Sequence, residues 1–331
     1  MAHPSEQYAF ILLPTARVRG KTLLKFKYFL LLFLILFLQG CNINSINNGI
    51  NYLDKNYDEN FVYNDDYIKF VYPGENLPLN LTYRKIDAYM NLVYAKEELP
   101  KDKSKRIQYQ VDEAYNNLNS LLPYFENKLT YNTIKNVSDG YALDTYCIVG
   151  YLFNNTKIAN NVIKLIVNNN LIENDYYEED KWRNIEDETW CILLLNKVNL
   201  NKNVVLMLTN IKLNETYQFI NSENTLNDKA AVLIHTIMLL NELNYYNYSG
   251  LKDKLYEIAL QDEIKQNILI EANILYVLSK SGYQKDKLEI IYNLIREKQN
   301  KDGGWYLNKS YGNVFTTQRA ILALNAYDKN G

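Results

Sequence analysis

A recurring apolar helical run constrains this chain more than any other feature of its sequence. Five small residues stand near the starts of successive runs: Thr145, Thr189, Ala230, Ala272 and Thr317. They lie about 41 to 45 residues apart, which is the size of a helical-hairpin repeat. A chain of 331 residues, 47% of them hydrophobic, is long enough to bury a large core in such an array. The sequence therefore predicts an all-α fold built from repeated helix pairs.

The two helices of each predicted pair differ in how their apolar residues are arranged. The runs 146–153, 230–240 and 268–278 are apolar almost all round, as expected of helices that are buried on both sides. Their partners, such as residues 288–298, carry one apolar stripe and one charged face. This alternation predicts an (α/α) toroid, in which an inner ring of helices is wrapped by an outer ring. An open solenoid is the second interpretation, although both helices of a solenoid pair usually keep a solvated face.

About six hairpins are predicted from residue 81 onwards. Their helices fall at residues 83–99 and 107–122, 141–153 and 157–167, 189–195 and 204–213, 228–243 and 251–260, 264–281 and 286–298, and 316–327. The helix over 316–327 is the first of a sixth pair and has no following partner. Its missing neighbour is either replaced by the N-terminal segment or absent.

A glycine turn separates the last two predicted helices. Asp302, Gly303 and Gly304 supply turn chemistry, since glycine accepts positive φ without a Cβ clash. Gln299 precedes the turn, and Trp305 follows it as a large apolar anchor with one N–H group to satisfy. The spacing of Gln299, Gly303 and Trp305 resembles the glutamine-tryptophan motif of the terpenoid cyclase and protein prenyltransferase (squalene cyclase-like) toroid family. An ordinary glycine turn between two helices is the alternative.

That resemblance implies a toroid with a central cavity, and it also implies catalytic residues that this sequence lacks. Squalene-hopene-type cyclases protonate an alkene with Asp-x-Asp-Asp, whereas the nearest acidic cluster here, at residues 186–188, does not match. Protein prenyltransferases bind zinc through Asp-x-Cys and a distant histidine, but Asp144 and Cys147 are one residue too far apart for that pair. His235 lies in the middle of an apolar run and is interpreted as a packed core residue. The sequence identifies no metal site and no cofactor.

Four acidic residues are the candidate catalytic groups: Asp144, Asp187, Glu188 and Asp228. Each stands near the predicted start of a helix that is apolar almost all round. In a toroid with parallel inner helices they would ring one mouth of the central cavity. Carboxylates in that place could bind cations, sugars or a developing carbocation. The alternative for each residue is helix capping, since acids favour helix N-termini.

The N-terminal region has the pattern of an export signal. Three lysines precede an unbroken apolar run over residues 28–38, which is too short to span a bilayer comfortably. The run ends in Leu-Gln-Gly-Cys, which resembles the lipobox of bacterial lipoproteins, with Cys41 as its cysteine. That resemblance implies removal of residues 1–40 and acylation of Cys41, with palmitate as one acyl group. An uncleaved membrane anchor with an incidental cysteine is the alternative.

The predicted domain order follows from that signal. Residues 1–20 do not fit the signal pattern, and one interpretation is a start site assigned too far upstream. Residues 41–80 are predicted to be the lipid anchor and a tether, since the first part is rich in Asn, Asp and Tyr. Residues 81–331 are then the toroid domain. The expected location is the extracytoplasmic face of a bacterial cell membrane, held there by lipidated Cys41.

Charge and cysteine content narrow the expected partners. The formal net charge is −2, and removal of the mainly basic residues 1–40 would make it more negative. A nucleic-acid partner is therefore not expected. Cys147 and Cys191 both lie in apolar helical runs. They could pair, but a buried free thiol is the commoner state for such residues.

Three functions are open from the sequence. The first is a toroid that binds a small molecule, a glycan or a protein in its central cavity without the chemistry of the family. It leads because it requires no residue that is missing. The second is a cell-surface carbohydrate-active (α/α)-barrel enzyme with paired carboxylates. The third is a divergent cyclase or prenyltransferase, so the sequence leaves open whether the protein is an enzyme.

Overall fold

The described part of the chain is helical almost throughout. The computed structural model describes residues 45–53, 55, 105–130, 143–169, 181–245, 248–306 and 314–329. Within these ranges the chain forms twelve α-helices joined by turns, which confirms the prediction of an all-α fold. The predicted helix over residues 83–99 lies outside the described residues.

The first six helices are α1 (residues 45–53), α2 (Lys105–Lys128), α3 (Leu143–Leu152), α4 (Thr156–Asn169), α5 (Lys181–Lys197) and α6 (Lys202–Ile220). The other six are α7 (Leu226–Glu242), α8 (Ser249–Ala259), α9 (Asp262–Lys265), α10 (Ile268–Lys280), α11 (Lys285–Glu297) and α12 (Val314–Lys329).

The helices pack as two alternating series. The central helices α3, α5, α7, α10 and α12 each pack against the next member of their own series. The flanking helices α4, α6, α8 and α11 each pack between the central helix before them and the central helix after them. Helix α2 packs against α3 and α4. Because short loops join a central helix to its flanking partner, the two are antiparallel, and successive central helices run in the same direction.

The central helices are buried on most sides because their sequences are apolar on most sides. Between residues 230 and 240 of α7, the partly exposed positions are Ala231, His235 and Met238. These three residues follow the spacing of one helix face. The corresponding flanking helix α11 buries Leu288, Ile291, Tyr292 and Ile295 along one stripe. The difference between apolar runs and one-sided runs that is visible in the sequence is therefore a difference in burial.

Four central helices end in the same left-handed cap. Asn154, Asn199, Asn244 and Gly282 follow α3, α5, α7 and α10 with φ of 50°, 54°, 53° and 67°. The N–H of the next residue then donates back into the helix, from Asn155 to Gly150 O at 2.8 Å and from Tyr283 to Leu278 O at 3.0 Å. This is the Schellman arrangement, which Gly and Asn accept most readily because they tolerate positive φ. Its recurrence gives the repeat a structural register.

That register corrects the one drawn from the sequence. Counted back from the caps, Thr189 in α5 and Ala272 in α10 are equivalent, as predicted. Their counterpart in α7 is Ile234, one helical turn after the predicted Ala230. The sequence pattern placed the register at the start of each run. The helices are of unequal length, so only their ends are aligned.

Helix α1 docks onto the glycine turn near the other end of the chain. The Gln299 side-chain amide donates to Ser45 O at 2.8 Å and to Gly303 O at 2.9 Å. A Cβ at Gly303 (φ 94°) would lie 2.4 Å from Asn48 O, and one at Gly304 would lie 2.7 Å from the Tyr52 ring. The glycines are therefore required for close approach of α1. This helix buries four side chains in the core: Ile46, Ile50, Tyr52 and Leu53.

The position of α1 differs from the sequence-based assignment of residues 41–80 to the anchor and tether. Residues 45–53 form part of the packed domain, with Gly49 against the Trp305 ring and Ile321 of α12. Because this stretch is mostly polar, the sequence analysis did not recognise its short stripe of isoleucine, tyrosine and leucine, which is buried. The N-terminal segment thus lies beside α12, which is one of the two arrangements expected for the last predicted helix.

Cys147 of α3 and Cys191 of α5 form a disulfide. The expectation of two free thiols is therefore wrong. Both residues are buried, and they lie on adjacent central helices whose packing brings the two Cα atoms to 4.9 Å. The sequence showed that both cysteines face the core, but it did not show that α3 and α5 are direct neighbours at that level.

Several helix boundaries also differ from the predicted ones. Helix α5 begins at Lys181 instead of residue 189, so the acidic cluster lies inside the helix. The predicted helix 264–281 is divided into α9 and α10, because the Asn267 side chain caps α10 by accepting from Ile270 N. Helix α2 continues through Pro123 to Lys128 instead of ending before the proline.

Candidate functional site: the cavity between the central helices

A cavity of about 140 Å³ lies between the central helices α5, α7, α10 and α12. The described residues that line it are Trp190 from α5, four residues of α7 (Ala231, Ile234, His235 and Met238), four of α10 (Ile270, Asn273, Tyr276 and Val277), and Arg319 from α12. The partly exposed stripe of α7 is the part of that helix that faces this space.

The lining residues occupy equivalent places in successive repeats. Trp190, His235 and Asn273 each lie the same number of residues before the left-handed cap of their own helix. Met238 and Tyr276 form a second equivalent pair, three residues further along. Parallel helices that share one cap therefore bring these side chains to the same two levels. The cavity therefore follows from the repeat and is not an isolated packing defect.

Polar groups from three helices reach this cavity. The His235 Nδ1 atom lies 2.9 Å from Ala231 O in the same helix. A carbonyl oxygen only accepts, so Nδ1 carries the proton of that hydrogen bond. Asn273 presents an amide, and Arg319 presents a guanidinium from α12. Among the described lining residues there is one permanent positive charge and no carboxylate.

The remaining wall is apolar and aromatic. Trp190 is 8% exposed and meets the Tyr151 ring edge to face, with the ring centroids 5.9 Å apart. The Lys197 ammonium lies 4.4 Å from the centroid of the same Tyr151 ring. Ile234 and Val277 are buried, whereas Met238 and Ile270 are partly exposed. Ligand sites typically have this form, with apolar walls and a few convergent polar groups.

The four acidic candidates are not among the described residues that line this cavity. Asp144 lies in the first turn of α3, where its Oδ1 accepts from Thr145 N at 2.6 Å. Asp187 is buried inside α5. Asp144 thus holds the predicted position at a helix start, whereas Asp187 does not, because α5 begins at Lys181, before the 186–188 cluster.

Glu188 faces the flanking helix α6 and not the cavity. Its carboxylate forms an ion pair with Lys212, whose side chain is only 4% exposed and which also pairs with Glu215. A crevice of about 10 Å³ between α3, α4, α5 and α6 borders this pair. Such a volume holds about one water molecule. Glu188 therefore neutralises a buried lysine between two helices.

Asp228 is a helix-capping residue. Its backbone N–H donates to Thr225 Oγ1 at 3.1 Å, and the Thr225 hydroxyl donates to Asp228 Oδ2 at 2.7 Å. Thr225 is therefore the N-cap of α7, and the Asp228 carboxylate holds its hydroxyl in place. The capping alternative of the sequence analysis accounts for these contacts of Asp228. Glu188 and Asp228 therefore serve two unrelated local purposes.

A further buried carboxylate lies beside the glycine turn. Glu271 of α10 is fully buried and pairs with Lys298, which also donates to Lys265 O. Burial raises the pKa of the Glu271 carboxyl above its ordinary value, and the Lys298 ammonium acts in the opposite direction. The pair joins α9, α10 and the end of α11, so its role is structural.

The residues of the glycine turn act as architecture. Trp305 is fully buried, its indole N–H donates to Ile295 O at 2.7 Å, and its backbone N–H donates to Thr317 Oγ1 at 3.0 Å. Asp302 accepts from Gly304 N at 3.0 Å and from the Tyr306 hydroxyl. These contacts tie α11 to α12.

Sequence analysis named His235 only as a packed core residue, and it did not identify Trp190, Asn273 or Arg319 as site residues. The available signal was the constant distance from each polar or aromatic residue to the asparagine or glycine that ends its helix. That distance becomes visible only when the caps are used as the register. Arg319 has no such signal, because the residue nine positions after it is Asp328, which lies inside α12.

Metal binding and membrane insertion find no support in the described part of the chain. No cluster of three or more His, Cys, Asp or Glu side chains there is arranged to hold a metal ion. None of the helices in the described ranges combines the length and apolar composition that a membrane span needs. Cys41 and the predicted signal lie outside the described residues.

Comparison of the chain with protein-family models, with curated proteins and with solved structures gives no match.

Proposed function

We propose that this chain is a membrane-anchored extracytoplasmic lipoprotein that binds a ligand in the cavity between its central helices. In this proposal the central and flanking helices are the inner and outer rings of a terpenoid-cyclase-like toroid. The protein uses the architecture of that family without its acid or zinc chemistry. The ligand is held at the axis, and the lipid on Cys41 keeps the domain at the membrane.

The observation that carries the proposal is the shared register of Trp190, His235 and Asn273 around one cavity. A repeat whose only purpose is packing would place apolar residues at these equivalent positions. Here three successive helices instead place an indole, an imidazole and an amide there. Polar and aromatic groups that converge on one cavity are typical of a ligand site.

The disulfide supports an exported location. Disulfides form and persist in oxidising compartments such as the periplasm and the cell surface. Cys147 and Cys191 are the only cysteines other than Cys41, and they pair in the core. Both facts fit a chain in which one cysteine receives lipid and the other two are oxidised after export.

The size of the cavity counts against the isoprenoid substrates of the resembling family. Sites for drug-sized ligands are roughly 300 to 1,000 Å³, whereas this cavity is about 140 Å³. The carbohydrate-active alternative needs convergent carboxylates. Glu188 is committed to Lys212, and Asp228 is committed to capping α7. Binding without catalysis is therefore the function that the site supports best.

Thermal unfolding of the purified chain in the presence of anionic, neutral and cationic small molecules tests the binding proposal. We expect at least one class to raise the unfolding temperature of the wild type. The variant Ala231→Met, which fills the cavity, should lose that shift. Leu206→Met on the exposed face of α6 is the matched control and should keep it. A shift that survives Ala231→Met would place binding elsewhere, and no shift with any class would refute ligand binding in the cavity.

Metabolic labelling with palmitate tests the lipid anchor separately. The wild-type chain expressed in a bacterium should incorporate label and fractionate with the membrane. Cys41→Ser should lose both properties while the domain still folds. Membrane association of an unlabelled chain would favour the uncleaved anchor instead.

A further inference from the structure

We propose that the outer face of helix α6 is a self-association surface, through which two copies of this chain pair across a twofold axis at Asn210. The inference concerns the outside of the domain and goes beyond ligand binding in the cavity. It depends neither on the ligand that the cavity binds nor on the lipid at Cys41.

Helix α6 differs from the other flanking helices in the charge of its exposed side. After Lys202 in its first turn, every exposed position of the helix carries an uncharged side chain. Its later charged residues, Lys212 and Glu215, are engaged in ion pairing beside Glu188 of α5. The other flanking helices expose charged residues: Lys157 and Lys164 on α4, Asp253, Lys254 and Glu257 on α8, and Asp286, Glu289 and Glu297 on α11. A solvated helix face normally keeps such charges, whereas the centre of a protein interface is depleted of them.

Large apolar side chains are exposed on this uncharged face. Leu206, Met207 and Tyr217 are 54%, 48% and 44% exposed. Among the described helices, α6 is the one that exposes three large hydrophobic residues. A single exposed hydrophobic residue is normal on a protein surface, but several together mark an interaction site.

The exposed stripe of α6 has the spacing of a helix-pairing seam. Its members follow one another at intervals of three and four residues: Asn203, Leu206, Asn210, Leu213 and Tyr217. Leu213 is half-buried, and the other four are exposed. Residues at this spacing form one line along a helix and insert between the residues of a second helix. Leucine and asparagine that alternate along such a line favour a pair of helices in a fixed register.

The symmetry of the stripe favours a second copy of the same chain as the partner. Asn210 stands at its centre, between Leu206 and Leu213. A twofold axis at this point brings the two Asn210 side chains together. An amide both donates and accepts, so two asparagines can hydrogen-bond to each other. Because the chain has a formal net charge of −2, an uncharged face is also where two copies meet without repulsion of like charges.

The length of α6 sets the strength of the contact. The helix has 19 residues and is therefore about 28 Å long. Two such helices in contact along their length bury roughly 1,000 Å² in total, which is near the lower limit for a specific interface. We therefore expect a weak dimer, with a dissociation constant on the order of 10 to 100 μM.

Sedimentation equilibrium of the full chain carrying Cys41→Ser tests the inference. The unsubstituted α6 should give a concentration-dependent dimer. Asn210→Asp should weaken it at least about tenfold, because two carboxylates then face each other across the axis. Asn293→Asp is the matched control, since it makes the same change on the charged outer side of α11. It should leave the dissociation constant within about twofold.

A mixture of two variants tests whether position 210 faces its own counterpart. Asn210→Lys should also weaken the dimer when it is present alone. An equimolar mixture of Asn210→Asp and Asn210→Lys should associate again, because opposite charges then meet at the axis. A variant that had lost its fold would not be rescued by mixing, so the experiment separates a lost contact from a lost structure.

Three results would overturn the inference. The first is a chain that stays monomeric up to about 500 μM. The second is a dimer that Asn210→Asp leaves unchanged, or variants that mixing does not restore. The third is binding of the monomer to phosphatidylcholine vesicles that Leu206→Lys abolishes, which would assign the face to a lipid surface. Thermal shifts caused by cavity ligands are measured separately, so the binding proposal stands or fails independently.

Discussion

Two tryptophans of this chain are set in contrasting surroundings. Trp305 is fully buried, its indole N–H is satisfied by Ile295 O, and glycines bring α1 directly against it. Trp190 is nearly as buried, but one side of its ring borders a cavity that polar side chains also reach. Around Trp305 the neighbouring side chains fill the space beside the ring. Beside Trp190 they leave a cavity.

The contrast separates a region that holds the helices together from the region of the proposed ligand site. The glycine turn is the stretch on which the sequence analysis based its family resemblance, yet Gln299 and Trp305 are engaged in joining α1, α11 and α12. The cavity carries no recognisable motif, yet the residues that line it occupy equivalent positions in successive repeats. A motif that marks the architecture need not mark the site.

The largest expected effect concerns the disulfide that joins the helices beside the cavity. Its loop spans 44 residues, for which the loss of loop entropy in the unfolded chain amounts to about 4 kcal/mol. The double variant Cys147→Ala/Cys191→Ala should therefore unfold with a free energy lower by about that amount in a denaturant titration. The turn region has no such bond. A loss of unfolding free energy below about 1 kcal/mol would mean that the disulfide adds little. Packing alone would then stabilise the helices beside the cavity, as it does at the turn.

The next effect separates two glycines of positive φ. Gly303→Ala should cost about 3 kcal/mol or more, because strain adds to a backbone clash with Asn48 O. Gly282→Ala should cost about 1 kcal/mol, since its φ is also positive but no atom lies within 4 Å of the added Cβ. The difference measures the docking of α1. Equal costs would mean that α1 is not held against the turn in solution.

Exchange of each tryptophan for phenylalanine compares the two regions most evenly. Trp305→Phe should lower the free energy of unfolding by about 2 kcal/mol, because Ile295 O loses its donor and a void opens in a filled core. Trp190→Phe should cost less than about 1 kcal/mol, since the lost atoms border an existing cavity. Denaturant unfolding of both variants gives the two numbers. A reversed order would contradict the distinction between filled and open regions.

The smallest effect is a pH dependence at the buried pair beside the turn. Because burial raises the pKa of Glu271 above its ordinary 4.5, the folded chain binds this proton more tightly than the unfolded chain does. Stability from this group is therefore lost as the pH rises from 4.5 through the raised folded pKa. Glu271→Gln should remove that part of the slope, whereas Glu289→Gln on the exposed face of α11 should not. An unchanged slope in Glu271→Gln would mean that Lys298 fully offsets the burial.

The helices could be predicted from the sequence because burial follows hydrophobic periodicity. The apolar run 230–240 and the one-sided run 288–298 became a central and a flanking helix, as their patterns indicated. The predicted helix boundaries were wrong where a local signal was misread. The cluster 186–188 was taken as a helix start, and Pro123 was taken as a helix end. At Pro123 the helix continues past a residue that is unfavourable by itself, whereas at the acidic cluster α5 had already begun at Lys181.

The site was harder to predict, because its residues are defined by level along the helices and not by motif. His235 was interpreted as a packed core residue. Its ring does bond to Ala231 O within its own helix, but it also lines the cavity. Asn273 could be found only from its distance to Gly282, and Arg319 gave no signal in a single sequence. The docking of α1 also depends on contacts between residues about 250 positions apart, which periodicity does not encode.

Fluorescence titration with a small molecule that raises the unfolding temperature of the wild type tests the division between turn and cavity most directly. It should be run in parallel on the wild type, Trp190→Phe and Trp305→Phe. We predict a saturable change in tryptophan emission in the wild type and in Trp305→Phe, with similar midpoints, and its loss in Trp190→Phe. Trp182 is present in both variants, so the comparison reports only on the exchanged residue. A change that persists in Trp190→Phe and disappears in Trp305→Phe would place the ligand at the turn and contradict the account.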